Sequence, residues 1–305
     1  MAVPRAPLGW GAGAAAVGAL AAWPFVEPAL FALRRVRVPV LAEGEKPLTV
    51  LHLSNLHLLP EQHRKARWVR DLARLEPDLV VSTGDHWSSP LALELLVDVL
   101  GALSAQATCA VFVPGNNDYY APVRPTVRDY VQPLGRGRRH GAPLPWDSAA
   151  AALTGAGWLD LTERRTTTVL HGRPVTLTGT DDATLRRDRY ARVAGSTQGL
   201  ALGITHTPAR RLLNAFAADG HALVIAGHTH GGQLRVPGMG ALVTNCDLPR
   251  WRARGLTRDE RGWLHVSAGL GSSPYLPVRV ACRPEATLLE LVPSEISDDG
   301  AGGVR

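Results

Sequence analysis

Cysteine is scarce: Cys109, Cys246 and Cys282 are the only three in a chain of 305 residues. They show none of the paired spacings of a thiolate zinc site, and three thiols cannot all pair with one another. A disulfide-stapled scaffold is excluded, although a Cys246–Cys282 bridge stays compatible with an exported domain. Aromatic residues make up only 6%. None interleave with basic runs in a repeating pattern, which removes the stacking platform of a dedicated nucleic-acid module. No G-x-S-x-G occurs, and Ser54 and Ser267 have no base at motif spacing. The elbow of a serine hydrolase is therefore missing. There is no internal repeat either.

Glycine, proline and arginine are plentiful. The 31 glycines and 23 prolines suit many short strands joined by tight turns. The formal charge of +6 comes largely from arginine. Such a balance favours anionic partners: phosphorylated substrates, acidic lipid surfaces or nucleic acid. The length fits one large domain with a sizeable core.

Residues with metal-binding chemistry gather at the ends of short apolar runs. Residues 48–53 lead into Ser54-Asn55-Leu56-His57, and residues 78–82 into Thr83-Gly84-Asp85. Residues 110–113 lead into Pro114-Gly115-Asn116-Asn117-Asp118, and residues 200–204 into Thr205-His206-Thr207-Pro208. Residues 222–226 lead into Gly227-His228-Thr229-His230-Gly231-Gly232. Ligands of open α/β sheets collect outside the carboxyl ends of the strands. Five such ends predict one shared cavity lined by imidazole, carboxylate and amide groups. The glycines around His228 and His230 suit a turn tight enough to aim both rings into it.

Together these blocks resemble the signature D-x-H, G-D, G-N-H-D/E, a separate His, and G-H-x-H of the calcineurin-like metallophosphoesterases. Order and approximate spacing agree over residues 48–291. Residues 227–233 and Ser267-Ala268-Gly269-Leu270-Gly271 are similar to one bacterial branch, whose members often carry a short apolar segment before the enzyme domain. The resemblance implies an α/β fold of two packed mixed β-sheets flanked by helices, a four-layer αββα sandwich. It implies a dinuclear metal-dependent phosphoesterase that hydrolyses a phosphate monoester or diester by attack of a metal-bound hydroxide. Asp85 would bridge two divalent ions, Mn, Fe or Zn. His57, His230 and Asn55 would complete the first site, and Asn116, His206 and His228 the second. Such donors suit those metals, and ions about 3.5–4 Å apart acidify a shared water and clamp phosphate oxygens.

Two positions depart from that pattern. Asn55 stands where the family usually has Asp, which leaves Asp85 as the one anionic ligand among those named and predicts weaker binding at the first site. Asn117 stands where the family usually has the histidine that assists the leaving group. An amide delivers no proton, and general acid catalysis is worth about 10²–10⁴-fold. A metal-binding, catalytically weak protein that recognises phosphorylated ligands is the competing reading. Around these residues, His86 reads as a substitute proton donor or as a partly exposed loop histidine, and His52 as a core residue. Asp118 orients a ligand or simply closes a turn, and Asp181 and Asp182, at the end of another strand, look like a family landmark near the site or are explained by turn chemistry alone. Arg136-Gly137-Arg138-Arg139-His140 either holds an anionic part of a substrate or forms a solvated loop.

Residues 8–26 carry no charge and reach about the length of a bilayer span, though they are rich in Ala and Gly. A membrane anchor is the leading reading, with a soluble docking helix or a cleaved signal peptide as alternatives. Arg34, Arg35 and Arg37 follow closely and favour a cytoplasmic enzyme domain. The expectation is a membrane-associated protein, or else a cytoplasmic one, acting on a phosphorylated small molecule or lipid. By this reading residues 1–45 are apolar segment and linker, 46–293 the enzyme domain, and 294–305 a disordered tail. Helices are expected at 62–75, 90–104, 148–156, 183–193 and 208–218, and a hairpin at 166–170 and 174–178. Strands of a second sheet are expected at 233–236, 242–245, 264–267 and 287–292.

Overall fold

Short apolar runs become central strands here because both of their faces are covered. The computed structural model describes residues 21–124, 126 and 139–294. Its strands are β1 (Ala32–Leu41), β2 (Leu48–Leu53), β3 (Leu79–Ser82), β4 (Cys109–Phe112), β5 (Leu159–Asp160), β6 (Arg164–Leu170) and β7 (Arg173–Gly179). They continue as β8 (Leu200–Thr205), β9 (Leu223–Ala226), β10 (Arg235–Val236), β11 (Gly240–Ala241), β12 (Gly255–Asp259), β13 (Gly262–Val266) and β14 (Glu285–Pro293). One six-stranded sheet runs β1-β14-β2-β3-β4-β5 and the other β12-β13-β9-β8-β7-β6. Both mix parallel and antiparallel pairs. Among the described residues they are flanked by the helices α1 (His63–Asp71), α2 (Leu93–Ser104), the single turn α3 (Asn116–Tyr119), α4 (Trp146–Gly155) and α5 (Arg210–Ala218).

Alternation along each strand separates the layers. Leu48 and Val50 of β2 join Val81 and Val111 in a core shared with Leu177, Leu202 and Ile225 of the second sheet. Leu51 and Leu53 point the other way, toward Val69, Leu96, Leu100 and Leu153 of the helices on the first sheet. On the far side Val224 and Val266 meet Leu212 and Phe216 of α5. The result is the αββα sandwich. The two sheets also meet through a polar contact, His52 Nδ1 of β2 lying 3.0 Å from His265 Nδ1 of β13, both buried. His52 is thus a core residue, as its place in the strand implied.

Several expected elements sit elsewhere. Residues 32–41, within the stretch read as apolar segment and linker, form β1, which pairs in parallel with β14 and buries Val38 and Leu41 in the central core. Arg34 and Arg35, read as charges flanking a membrane segment, pair with Glu285 and Glu290 on that strand. β14, expected in the second sheet, belongs to the first. β10 and β11 form a separate ribbon, and residues 242–245 lie outside any strand. Residues 183–193 form no α-helix beyond one 3-10 turn, Tyr190–Arg192. There the Asp182 carboxylate captures the Leu185 N–H and Asp181 pairs with Arg187, which favours turn over helix. Cys109, Cys246 and Cys282 are thiols, not disulfide partners. Among the described residues no helix is long and apolar enough to cross a membrane. Residues 8–20, 136–138 and 295–305, on which further expectations rest, lie outside the described residues.

Candidate metal centre

All five predicted strand ends converge. Beyond β2 and β3 the chains keep pairing, the N–H groups of Asn55 and His57 donating to the carbonyls of Gly84 and Asp85 at 3.0 and 2.9 Å. A third loop is laced to the first, Gly271 N–H donating to Asn55 O at 2.6 Å. Asn55, His57, Asp85, His228 and His230 all adopt positive φ, between 45° and 66°. Left-handed backbone costs a non-glycine residue about 1–3 kcal/mol and persists where surrounding structure imposes it. His57, Asp85, His228 and His230 line one cavity of about 370 Å³, while Asn55 is fully buried and outside its lining. Gly115 cannot be replaced cheaply: a Cβ there would lie 2.4 Å from Asp85 Oδ1 and 2.7 Å from the His206 ring.

Asp85 is the hub. Its Oδ2 lies 3.4 Å from His57 Nε2 and 3.5 Å from His206 Nε2. The backbone N–H of Asn117 donates to Oδ1 and its side-chain amide to Oδ2, each at 2.8 Å. His57 Nε2 stands 3.3 Å from His230 Nε2, and His206 Nε2 stands 3.2 Å from His228 Nδ1. Among the described residues, His57, Asp85 and His230 offer ligand atoms all within 4.8 Å of one another.

Carbonyl acceptors set which ring nitrogens face the cavity. His206 Nδ1–H donates to Thr83 O at 2.6 Å, and His230 Nδ1–H to Gly271 O at 3.0 Å. His228 Nε2–H donates to Asn245 O at 3.1 Å. In the neutral ring the other nitrogen then carries a lone pair. Those of His206 and His228 point at one another, a contact that only a cation or a proton reconciles. The amide atoms Asn55 Oδ1 and Nδ2 and Asn116 Oδ1 are buried without a hydrogen-bond partner. Leaving such atoms orphaned costs about 1–3 kcal/mol each. Oxygen and imidazole donors so arranged fit divalent cations.

The surroundings tune these groups. Burial, with Lys65 and Arg279 nearby, pushes His57 down to about 3. Burial, His57 and Arg279 hold His230 well below the usual imidazole range. Burial also presses on His206, but the Asp85 and Asp182 carboxylates outweigh it and raise that ring above its ordinary value. Asp182 itself is pushed up to about 6, chiefly by burial.

Asp118 decides its own two readings. Its carboxylate accepts the N–H groups of Asp85, His86 and Gly115, at 2.9, 2.7 and 2.8 Å. It therefore orients the Asp85 loop as well as closing its own turn. His86 matches neither expectation: it is fully buried, bonded to Asp118 at 2.9 Å and stacked on Trp146. Asp181 accepts the Tyr119 hydroxyl at 2.9 Å, and Asp182 accepts Thr207 Oγ1 at 3.1 Å. Two buried cations escaped the sequence reading. Lys65 Nζ donates to Leu56 O at 2.7 Å. Arg279 donates to the carbonyls of Ala268, Gly271 and Cys282 at 2.9, 2.6 and 3.1 Å. No local motif marks either, since each acts through backbone carbonyls brought close by the fold.

The chain is 29% identical to "Phosphodiesterase YaeI" of Escherichia coli (strain K12) over 276 residues, covering 88% of this chain and 91% of that protein. It is 27% identical to a Danio rerio "Transmembrane protein with metallophosphoesterase domain", covering 84% of this chain but only 56% of that one. Phosphopantetheinyl hydrolase from Mycobacterium tuberculosis aligns in structure with a TM-score of 0.44 at 14% identity, over 77% of this chain and 96% of that one. The family model described as calcineurin-like phosphoesterase matches residues 48–232, and the chain belongs to that family.

Proposed function

We propose that the protein hydrolyses a phosphate ester with two divalent cations, Mn, Fe or Zn, held around Asp85. The observation that carries this reading is the facing lone pairs of His206 and His228, together with the orphaned carbonyl oxygens of Asn55 and Asn116. His57, His230 and Asn55 would hold one cation, and Asn116, His206 and His228 the other, with Asp85 between them. Bound there, the cations would acidify a water and neutralise phosphate oxygens. The chain's own contribution is orientation. Thr83 O and Gly271 O each keep an Nδ1 proton in place on His206 and His230, and Asn117 fixes both oxygens of Asp85. The relative named a phosphodiesterase supports a diester as substrate. The phosphorylated partner is a small molecule or a lipid, and residues 8–26 would bring the protein to a membrane.

One observation favours a second reading, a cation-binding protein with weak catalysis. The Asn117 amide is engaged by Asp85, and an amide has no proton to deliver to a leaving oxygen. Turnover of an aryl phosphodiester with added Mn²⁺, in the wild type and in Asp85→Ala, separates the two. The hydrolase reading expects turnover that needs both Mn²⁺ and Asp85. Its absence on aryl mono- and diesters alike leaves the binding reading.

A further inference from the structure

The cavity lining is chemically mixed. Beside the polar cluster around Asp85, and Arg139 and His140 of the basic run, it includes an apolar set, Pro122, Val123, Leu234, Leu242, Val243 and Leu276. An apolar wall does nothing for a phosphoryl group, which is anionic and strongly hydrated. It is suited to whatever the phosphoryl group is attached to. At about 370 Å³ the cavity falls within the range of about 300–1,000 Å³ typical of small-molecule sites.

The apolar surface continues outside. The β10–β11 ribbon lies between Leu234 and Leu242, and it exposes Val236 and Met239, the latter 66% accessible. The loop that supplies Leu276 exposes Tyr275 as well. That loop is also the seat of the amino-terminal helix at residues 21–26. Arg279 N–H donates to Pro24 O, and the buried Glu27 accepts the N–H groups of Ala281 and Cys282. Trp23, Phe25 and Val26 of this helix are exposed. One loop thus links the apolar wall of the cavity to the apolar amino-terminal segment.

We propose that the substrate is an amphiphile, a phosphoester whose substituent is a hydrocarbon chain seated against this wall. The proposal deepens the phosphoesterase reading and rests on it. In the reaction water adds to phosphorus, one P–O ester bond breaks, and the leaving alcohol takes up a proton from that water.

The test is a series of p-nitrophenyl alkyl phosphodiesters, from methyl through butyl to hexyl, assayed with Mn²⁺ below micelle-forming concentrations. A fully buried methylene contributes about 0.8 kcal/mol, or about fourfold. At even twofold per methylene, kcat/KM for the hexyl ester exceeds that for the methyl ester by about thirtyfold. The double variant Leu242→Ser, Leu276→Ser should collapse that ratio toward one. Because the ratio is internal, partial loss of folded protein does not mimic the effect. Calorimetric titration with methylphosphonate and hexylphosphonate, again with Mn²⁺, reads the same preference without turnover.

A flat series with clear Mn²⁺-dependent turnover overturns the amphiphile and leaves the hydrolase reading standing. Tighter hexylphosphonate binding with no turnover of any ester does the reverse. Flat binding and no turnover overturn both.

Discussion

The two halves of the proposed centre meet at Asp85 and differ in the charge around them. His57 and His230 lie close together, stacked at 5.1 Å between ring centroids, with all three ligand atoms within 4.8 Å. Their neighbours are the buried Arg279 guanidinium and Lys65, whose ammonium burial pushes down to about 7. His206 and His228 meet with ring planes nearly perpendicular instead, at 82°, and the buried carboxylate of Asp182 stands near His206. The first half is better assembled, and the second sits in the more favourable field for a cation. Preorganisation and charge are separate contributions, and this molecule divides them between neighbouring positions.

The largest expected effect comes from removing what the halves share. Asp85→Asn keeps the shape and deletes the charge, and loss of several kcal/mol of cation stabilisation corresponds to about 10³-fold or more in kcat. Calorimetry on that variant should show both cation-binding events weakened. If only one weakens, Asp85 does not bridge.

Asn117→His comes next. Restoring a proton donor should raise turnover of alkyl phosphoesters by up to about 10²-fold and that of aryl esters far less. Equal gains on both would show that position 117 acts on Asp85 alone. Asn55→Asp adds an anion to the cation-flanked half and should tighten binding there by about tenfold or more. An unchanged titration curve would mean that the Asn55 side chain does not reach the ion.

Asp182→Asn tests the other half. It should weaken the second binding event by a few-fold and leave the first alone. An equal loss at both would abolish the asymmetry argued here.

The pH dependence of the metal-free protein tests the same groups without a cation. His57 and His230 are held below their unfolded pKa, so the stability tied to their neutral forms is present above pH 6.5 and lost as pH falls. His265, pushed down to about 3 by burial, adds to the same trend, as does His52, held well below its ordinary value. His206 is raised, and its contribution has the opposite sign: present below pH 6.5 and lost as pH rises through its folded value. Asp182, raised to about 6, also opposes the trend, because the folded state takes up its proton first as pH falls, but five depressed rings, His221 among them, outweigh both. Urea denaturation should show stability falling from pH 6.5 toward 4, at up to about 1.4 kcal/mol per pH unit per suppressed histidine.

Much of the centre was legible in the chain, and the reason is local. A buried strand must end, and the polar residues just past its end have to face a crevice or water. Those strand ends carry Asn55, His57, Asp85, Asn116, His206, His228 and His230, and the family resemblance singled them out as ligands. The misreadings share the opposite cause. β1 is a strand because β14, some 250 residues later, pairs with it at Ala32↔Glu285. His86 is buried because Trp146 covers it and Asp118 bonds it. Residues 183–193 fail to form a helix because Asp181 and Asp182 are pinned near the site.

The residue chemistry of the cavity, its order along the chain and the alternation that sorts the core follow from the one-dimensional pattern, since each depends on neighbours a few positions away. The charge around each half, the choice of ring nitrogen and the buried roles of Lys65 and Arg279 were settled only by packing. They depend on carbonyls and carboxylates from distant segments, and electrostatic energy is governed by distance in space.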